Sequence, residues 1–315
     1  ENVLDITDKH KKVIITAETG TGKTIGIIKY FTQNKTNKRV IILMPLTVIV
    51  EQIKSDHPNI VSLTGTSEPN EHTKAKTFPI VIGTYEQGYK HLSDPNTFDY
   101  VVIDEVHNLI TAHSYKHHII RDLTSILSSY SVIGLTGTTN LLFKSIGYKL
   151  VNVKKKVLKS VYVIFRVDNR KPLQIALQHL QNVNGKCIMR INSRSDADSL
   201  KIELVKLKKY KENEILILNS DTHIKEGKDF RKLTSQGSFE DNIKLIITTS
   251  VIDEGLSIRQ KGFTDAVFIE TDYKPMPEAL KQFFARFRNE DINRKNYYYY
   301  RQINDQTLRS WDPYY

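Results

Sequence analysis

Short, β-branched apolar runs alternate with stretches of helical spacing through the first half of the chain: VIIT from residue 13, VIILMP from 40, IVSL from 60, PIVIG from 79, YVVIDE from 100 and SVIGLTG from 131. Runs this short and this continuously apolar predict strands buried on both faces. Their alternation with helical segments predicts a parallel sheet covered on either side. The lysine-rich VNVKKKVLKS at 151–160 has no strong apolar period, and beyond it the pattern restarts with VYVIF, KCIMRI, EILIL, KLIITT and DAVFIE. The predicted fold class is therefore α/β, in two domains covering 1–154 and 155–315. YYYY at 297–300 reads as an aromatic strand packed on the second core.

Composition adds little to that frame but narrows the setting. The 315 residues are 39% hydrophobic, enough to fill two cores. No run of about 18 apolar residues is present and the N-terminus lacks the order of a secretion signal, so a soluble, intracellular protein without a membrane partner is expected. Cys187 is the single cysteine, which excludes an internal disulfide and a multi-cysteine zinc site. The chain opens on Glu1 and enters an apolar run within a dozen residues, as expected of a piece of something longer with flanking domains elsewhere. The net charge of +11 is spread over both halves; it suits a polyanionic partner and equally a solubility surface.

Two stretches carry chemistry. After the first strand comes AETGTGKT, Ala17 to Thr24, then the helix-compatible IGIIKYF. A strand, a glycine-containing turn and a helix in that order let backbone N–H groups and a helix N-terminus surround a phosphate. Glu18, Thr19, Gly20, Thr21, Gly22, Lys23 and Thr24 are the candidate binding loop. Lys23 is expected to reach the β- and γ-phosphates, the Thr24 hydroxyl to join a Mg2+ shell, and Gly20 and Gly22 to permit close backbone approach. The second stretch, YVVIDEVH, ends an apolar strand with Asp104, Glu105 and His107. Asp104 stands where parallel sheets bind ligands and can hold Mg2+ through water. Glu105 is the candidate to orient or deprotonate an attacking water, and His107 to sense the γ-phosphate or contact a coupling segment.

With these residues in place the chain resembles superfamily 2 helicases and translocases of the DEAH/DExH type, over nearly its whole length. MPLTVIVEQ at 44–52 looks like motif Ia, GTYEQG at 83–88 like motif Ic and LTGTT at 135–139 like motif III. INSRSDADSL at 191–200 fits motif IV and IITTSVIDEGLSI at 246–258 motif V. The resemblance implies two tandem RecA-like domains with ATP in the cleft between them and a strand of nucleic acid crossing both. It implies nucleic-acid contacts from Pro45, Leu46, Thr47, Thr84, Asn192, Ser193 and Thr249, a nucleotide contact at Gly255, and coupling through Thr136, Gly137 and Thr138. ATP and Mg2+ are the implied cofactors. Hydroxyls at turns after strands suit phosphate contact, although each alone is also a common local cap.

QFFARFRN at 282–289 corresponds to motif VI, with Gln282 and Arg286 in place. It departs from the usual pattern: Ala285 replaces a glycine, Asn289 occupies the second arginine position, and Arg288 comes one residue early. That Arg-x-Arg ending is similar to the motif of the herpesvirus origin-binding protein and of related phage or plasmid replication helicases. An always-charged fork near a γ-phosphate stabilises the charge of the transferring group, and Arg286 is expected to be that fork, with Arg288 the second choice. A helix with Leu280, Phe283, Phe284 and Phe287 turned inward would set Gln282 and Arg286 side by side at i and i+4.

His113, His117 and His118 lack matching carboxylates or cysteines and are expected to be an exposed helix start, not a metal site. Lys206, Lys208, Lys209 and Lys211 around Tyr210 read as a solvated helix end. The function expected is ATP-driven helicase or translocase activity in phage, plasmid or viral replication, hence in a host cytoplasm for a phage or plasmid protein. The partner is single-stranded or duplex nucleic acid, DNA favoured over RNA, with flanking domains or replication proteins beside it. The alternatives are the duplex-translocating motor of a restriction or repair complex, and a nucleotide-gated binding module in which hydrolysis is incidental.

Overall fold

The computed structural model describes residues 3–17, 21–33, 37–111, 113–137, 142–153, 162–167, 170–219, 232–233, 236–252, 257–270, 277–287 and 294–301. The chain divides into two compact units, Glu1–Leu158 and Lys159–Tyr315. Each is built on one all-parallel sheet.

In the first unit β1 (Lys12–Thr16), β2 (Val40–Met44), β3 (Val61–Leu63), β4 (Ile80–Thr84), β5 (Tyr100–Ile103), β6 (Ser131–Thr136) and β7 (Lys149–Asn152) pair in the order β3-β4-β2-β5-β6-β1-β7. Side chains alternate between two cores with the period of two that a strand imposes. Val13, Ile15, Val40, Ile42, Met44 and Val102 meet Leu4, Ile28, Phe31, Val50 and Ile53, from helices Val3–His10, Lys23–Gln33 and Thr47–Asp56. Ile14, Ile41, Leu43, Val101 and Ile103 turn the other way, towards Leu123 of helix His113–Ile126 and towards Leu127 and Tyr130 just after it. Each such aliphatic side chain contributes roughly 1.5–3 kcal/mol on full burial, which is why the runs are apolar without alternation.

β7 was not expected: Val151 and Asn152 were assigned to the lysine-rich joint. The structure pairs Lys149–Asn152 with β1 instead. Four residues at a sheet edge, only Leu150 and Val151 of them half-buried, leave too little periodicity to be seen in the sequence.

In the second unit β8 (Tyr162–Val167), β9 (Lys186–Ile191), β10 (Ile215–Leu218), β11 (Leu245–Thr248), β12 (Phe263–Glu270) and β13 (Lys295–Arg301) pair in the order β10-β11-β9-β12-β13-β8, again all parallel. Cys187, Met189, Ile191, Leu245, Ile247, Val267 and Ile269 face Ile175, Ala176 and Leu180 of helix Pro172–Gln181 and Ala197, Leu200 and Leu204 of helix Arg194–Lys206. The aromatic strand is where the sequence placed it. Tyr297 and Tyr299 pack on this core, while Tyr298 turns to Phe268 and donates its hydroxyl to buried Glu270 at 2.9 Å. Among the described residues no helix is long and apolar enough to cross a membrane.

Gly134, in β6 between β5 and β1, shows how tightly the first sheet is covered. An added Cβ would lie 2.4 Å from Ile14 Cδ1 and 3.0 Å from Val106 Cγ1, both fully buried side chains. Gly134→Ala is expected to lower stability by about 1–3 kcal/mol through overpacking, read as a reduced urea midpoint with an unchanged slope.

Candidate functional site

Parallel pairing puts every strand's carboxyl end at the same edge, the edge where such sheets receive ligands. In the first unit the order β5-β6-β1 brings three of the sequence motifs together there. β1 runs through Ala17 into the loop; Glu18, Thr19 and Gly20 lie outside the described residues. Gly22 has φ +79°, a conformation that a side chain would strain. Helix Lys23–Gln33 starts immediately after it, with its first turn of N–H groups at the loop. Lys23 Nζ donates to the Ala17 carbonyl at 3.0 Å. Thr24 Oγ1 donates to Asp104 Oδ2 at 2.9 Å, so the loop after β1 reaches the end of β5. A cavity of about 250 Å3 opens beside the loop, lined by Leu4, Gly22, Lys23, Ile27, Tyr30 and Val153 among others, and is largely apolar.

Asp104 is buried, and its Oδ1 accepts the Glu105 amide at 3.1 Å. Burial, then the neighbouring Glu105 charge, pushes its pKa up to about 6 against the opposing Thr24 hydrogen bond and Lys23 charge. Glu105 has φ +48°, the left-handed region that costs a side-chain-bearing residue about 1–2 kcal/mol. That turn redirects the chain so that the Val106 amide donates to Leu135 O at 2.9 Å. Glu105 Oε2 is buried and accepts no hydrogen bond among the described residues. His107 Nδ1 lies 3.4 Å from it and 3.2 Å from Thr136 Oγ1. Burial holds the His107 pKa below its ordinary value, with Asp104 opposing and Lys23 assisting, so the ring is neutral at neutral pH. A neutral imidazole thus links the end of β5 to the end of β6.

The pair Thr24 and Asp104 offers hard oxygen donors, and Asp104 is a desolvated carboxylate that a cation would stabilise. This suits Mg2+, which takes one or two protein oxygens and completes its shell with water and phosphate. Among the described residues no group of three or more His, Cys, Asp and Glu could hold a metal, and His118 is exposed.

The other half of the same edge carries the expected nucleic-acid contacts. Pro45, Leu46 and Thr47 follow β2, and Thr84 ends β4. Thr84 Oγ1 caps helix Tyr85–Gly88 by accepting the Gln87 amide at 3.3 Å. In the second unit Asn192 and Ser193 follow β9 and Thr249 follows the adjacent β11; Ser193 Oγ caps its helix by accepting the Asp196 amide at 3.1 Å. Both cap hydroxyls are therefore engaged locally. Gly137 is exposed beyond β6; Thr138, Gly255 and Arg288 lie outside the described residues.

The helix expected to carry both Gln282 and Arg286 is shorter than expected. Helix Pro277–Phe284 stops two residues short of Arg286, whose amide turns back to Phe283 O at 3.2 Å. Phe287 then leaves the helix to bridge in parallel with Ile258 and to pack edge-on against Phe263 and Phe283. Phe283, Phe284 and Phe287 are buried as expected, Leu280 is half-buried, and Arg286 is buried. Tyr210 is buried too, so the lysines around it have no aromatic platform, and Lys209 Nζ instead donates to Val183 O at 3.3 Å. One site residue escaped sequence reasoning: Tyr85, whose hydroxyl donates to the Asp104 carbonyl. An aromatic directly after a strand reads as core, and no sequence signal distinguishes it.

Residues 1–141 match the family model described as type III restriction enzyme, res subunit. No curated protein sequence matches the chain. Among solved structures, the Escherichia coli DEAH/RHA helicase HrpB superposes with TM-score 0.64 and 13% identity over 98% of this chain and 42% of its own. The DEAD-box helicase Mss116 bound to single-stranded RNA and UDP-BeF gives 0.63 and 16%, over 94% of this chain and 67% of its own. S. cerevisiae Dbp5 bound to RNA and ADP BeF3 gives 0.62 and 16%, over 95% and 82%. The chain spans about two fifths of HrpB. At these identities the likeness establishes the fold: two RecA-like domains in tandem, as in the superfamily 2 helicase core.

A carboxyl whose pKa is higher in the folded than in the unfolded protein holds its proton more tightly when folded. Its contribution to stability is full below the ordinary carboxylate range and is lost as pH rises through about 6. Asp104→Asn is therefore expected to gain on the wild type by up to about 3 kcal/mol between pH 4 and pH 7.5 in urea unfolding with a chelator present.

Proposed function

We propose that the chain is the motor of an ATP-dependent nucleic-acid helicase or translocase of superfamily 2. The observation that carries this reading is the Thr24 to Asp104 hydrogen bond, 2.9 Å across 80 positions of sequence. It joins a phosphate loop to an acidic strand end beside a glutamate with a buried, unbonded carboxylate oxygen. The family match over residues 1–141 and the helicase structures sharing the fold support it.

In this reading Thr21 to Thr24, with Glu18 to Gly20, cradle the phosphates, and Lys23 leaves the Ala17 carbonyl to neutralise them. Thr24 and Asp104 would hold Mg2+, which would supply charge neutralisation to the nucleotide's phosphates. Glu105 orients the attacking water and takes its proton. His107, neutral and bonded to Thr136, passes the state of this site to the segment of Thr136, Gly137 and Thr138. Gln282, Arg286 and Arg288 serve the nucleotide from the second unit. Pro45, Leu46, Thr47, Thr84, Asn192, Ser193 and Thr249 follow the backbone of a nucleic-acid strand. The apolar cavity beside the loop suits the flat face of the base.

The resemblance in sequence favours DNA and a part in phage, plasmid or viral replication, whereas Mss116 and Dbp5 are described as RNA-bound. The partner is accordingly proposed as a strand held by its backbone. A second reading, a motor that tracks duplex DNA without separating it, is favoured by the restriction-enzyme family match.

Turnover of ATP is expected to rise with nucleic acid, and steady-state assays with single-stranded DNA, duplex DNA and RNA identify which. Lys23→Ala and Glu105→Gln are expected to lower stimulated kcat at least 100-fold. Arg286→Ala is expected to lose about 1,000-fold or more, as for an arginine finger. Loss confined to Arg288→Ala would reverse the ranking of the two arginines, and no stimulated turnover with any nucleic acid would sink the proposal. Triplex displacement without strand displacement would select the second reading.

A further inference from the structure

We infer that the Tyr85 hydroxyl is a positioning group that ties the segment after β4, the proposed strand contact, to the backbone that aims Glu105. The inference rests on the ATP-driven reading above and adds a second link beside that of His107 and Thr136.

Tyr85 follows Thr84 directly and is 2% exposed, its ring packed in the core shared by Leu43, Val101, Ile103 and Val106. Its hydroxyl donates to the Asp104 carbonyl and lies 3.3 Å from the Glu105 carbonyl. These two carbonyls flank the left-handed Glu105, whose φ of +48° takes the chain out of the strand ladder at this point. A buried phenol is costly without an acceptor, and phenylalanine would fill the same apolar space without that cost. The hydroxyl thus answers to the peptide groups at Glu105 and to the Asn108 side chain on the same turn, and not to the core. Burial, then the Asp104 and Glu105 charges, raises its pKa well above the ordinary phenol, which keeps it a donor.

The link is long in topology. β4 and β5 are not neighbours, since β2 lies between them. Tyr85 crosses the end of β2 because helix Tyr85–Gly88 lies flat upon it: a Cβ on Gly88 would stand 2.1 Å from Leu43 Cδ2. Asp104 itself hangs on β2 through its amide, which donates to Leu43 O at 2.8 Å. A strand that pulls on Thr84 therefore moves the donor that holds the Glu105 turn.

The test is Tyr85→Phe in nucleic-acid-stimulated ATP turnover, with thermal unfolding as the check on folding. Expected are a fall in stimulated kcat of about tenfold or more, as for other groups that orient a reacting one, and a KM for ATP and a half-saturating nucleic-acid concentration that change less than about twofold. In a Glu105→Gln background the same change is expected to cost nothing further, because the group it positions is gone. Gly88→Ala, which keeps the phenol but shifts the helix that carries it off Leu43, is expected to give the same kcat-only loss and serves if Tyr85→Phe does not fold.

A folded Tyr85→Phe protein with wild-type stimulated kcat overturns the inference. So does a loss that is additive with Glu105→Gln, or one that appears equally in KM, since those mark a general structural role. Absence of stimulated turnover in the wild type is a different failure, that of the proposed function itself.

Discussion

The arrangement depends on parallel pairing between strands buried on both faces. β2, β4 and β5 have no exposed residue, so no charge can sit within them, and the candidate residues stand at or just beyond the strand ends: Thr84 closes β4 and Asp104 follows β5. Because the pairing is parallel, those strand ends share one edge. The order β5-β6-β1 then sets Asp104, Thr136 and the phosphate loop side by side, although 80 residues separate Thr24 from Asp104. The position is favourable for chemistry and unfavourable for stability. Asp104 is desolvated enough to titrate near pH 6, and a single hydroxyl, one amide and the nearby Lys23 offset that cost only in part. A site whose charge is under-compensated when empty is one that a cation and an anionic ligand stabilise.

Glu105 adds a second local cost, and the two are balanced by different parts of the sheet. Its left-handed backbone costs about 1–2 kcal/mol, comparable with one or two net hydrogen bonds at about 1 kcal/mol each. Three such bonds, the Val106 amide on Leu135 O, the Asn108 amide on Glu105 O and the Tyr85 hydroxyl on Asp104 O, more than match it. They come from β6, from the turn itself and from the end of β4. The glutamate is therefore held from both sides of its strand, by adjacent β6 and, across β2, by the end of β4, and a shift on either side changes where it points.

Much of this was legible in the sequence where burial imposed a pattern. Continuous apolar runs gave the position of every strand except β7, and the glycine-lysine-threonine turn and the acidic strand end were found because their chemistry requires those residue types in fixed order. What stayed hidden was three-dimensional. Lys149–Asn152 is an edge strand with too few covered positions to show a period. Nothing in VIDEVH announces a positive φ at Glu105, and Tyr85 is spelled like any core aromatic although its hydroxyl works across two strands. Hydroxyls were legible as chemistry but not as geometry: Thr84 and Ser193 cap their own helices, the common use of such residues at strand-to-helix turns.

The helix end before Arg286 shows why a departure from a sequence pattern need not be a loss. A glycine is demanded where φ is positive or where a Cβ has no room. Ala285 is not among the positive-φ residues, and its amide still makes a helical bond to Lys281 O at 3.0 Å. The glycine is dispensable there because the chain turns one residue later, at Arg286. That turn is held by the Ile258 amide on Arg286 O at 2.7 Å and by Phe287, wedged between Phe263 and Phe283. The buried guanidinium consequently starts from a backbone pinned on both sides, with little freedom left to lose. For the role proposed for Arg286, meeting charge without reorganising, pinning of this kind matters more than helical spacing from Gln282.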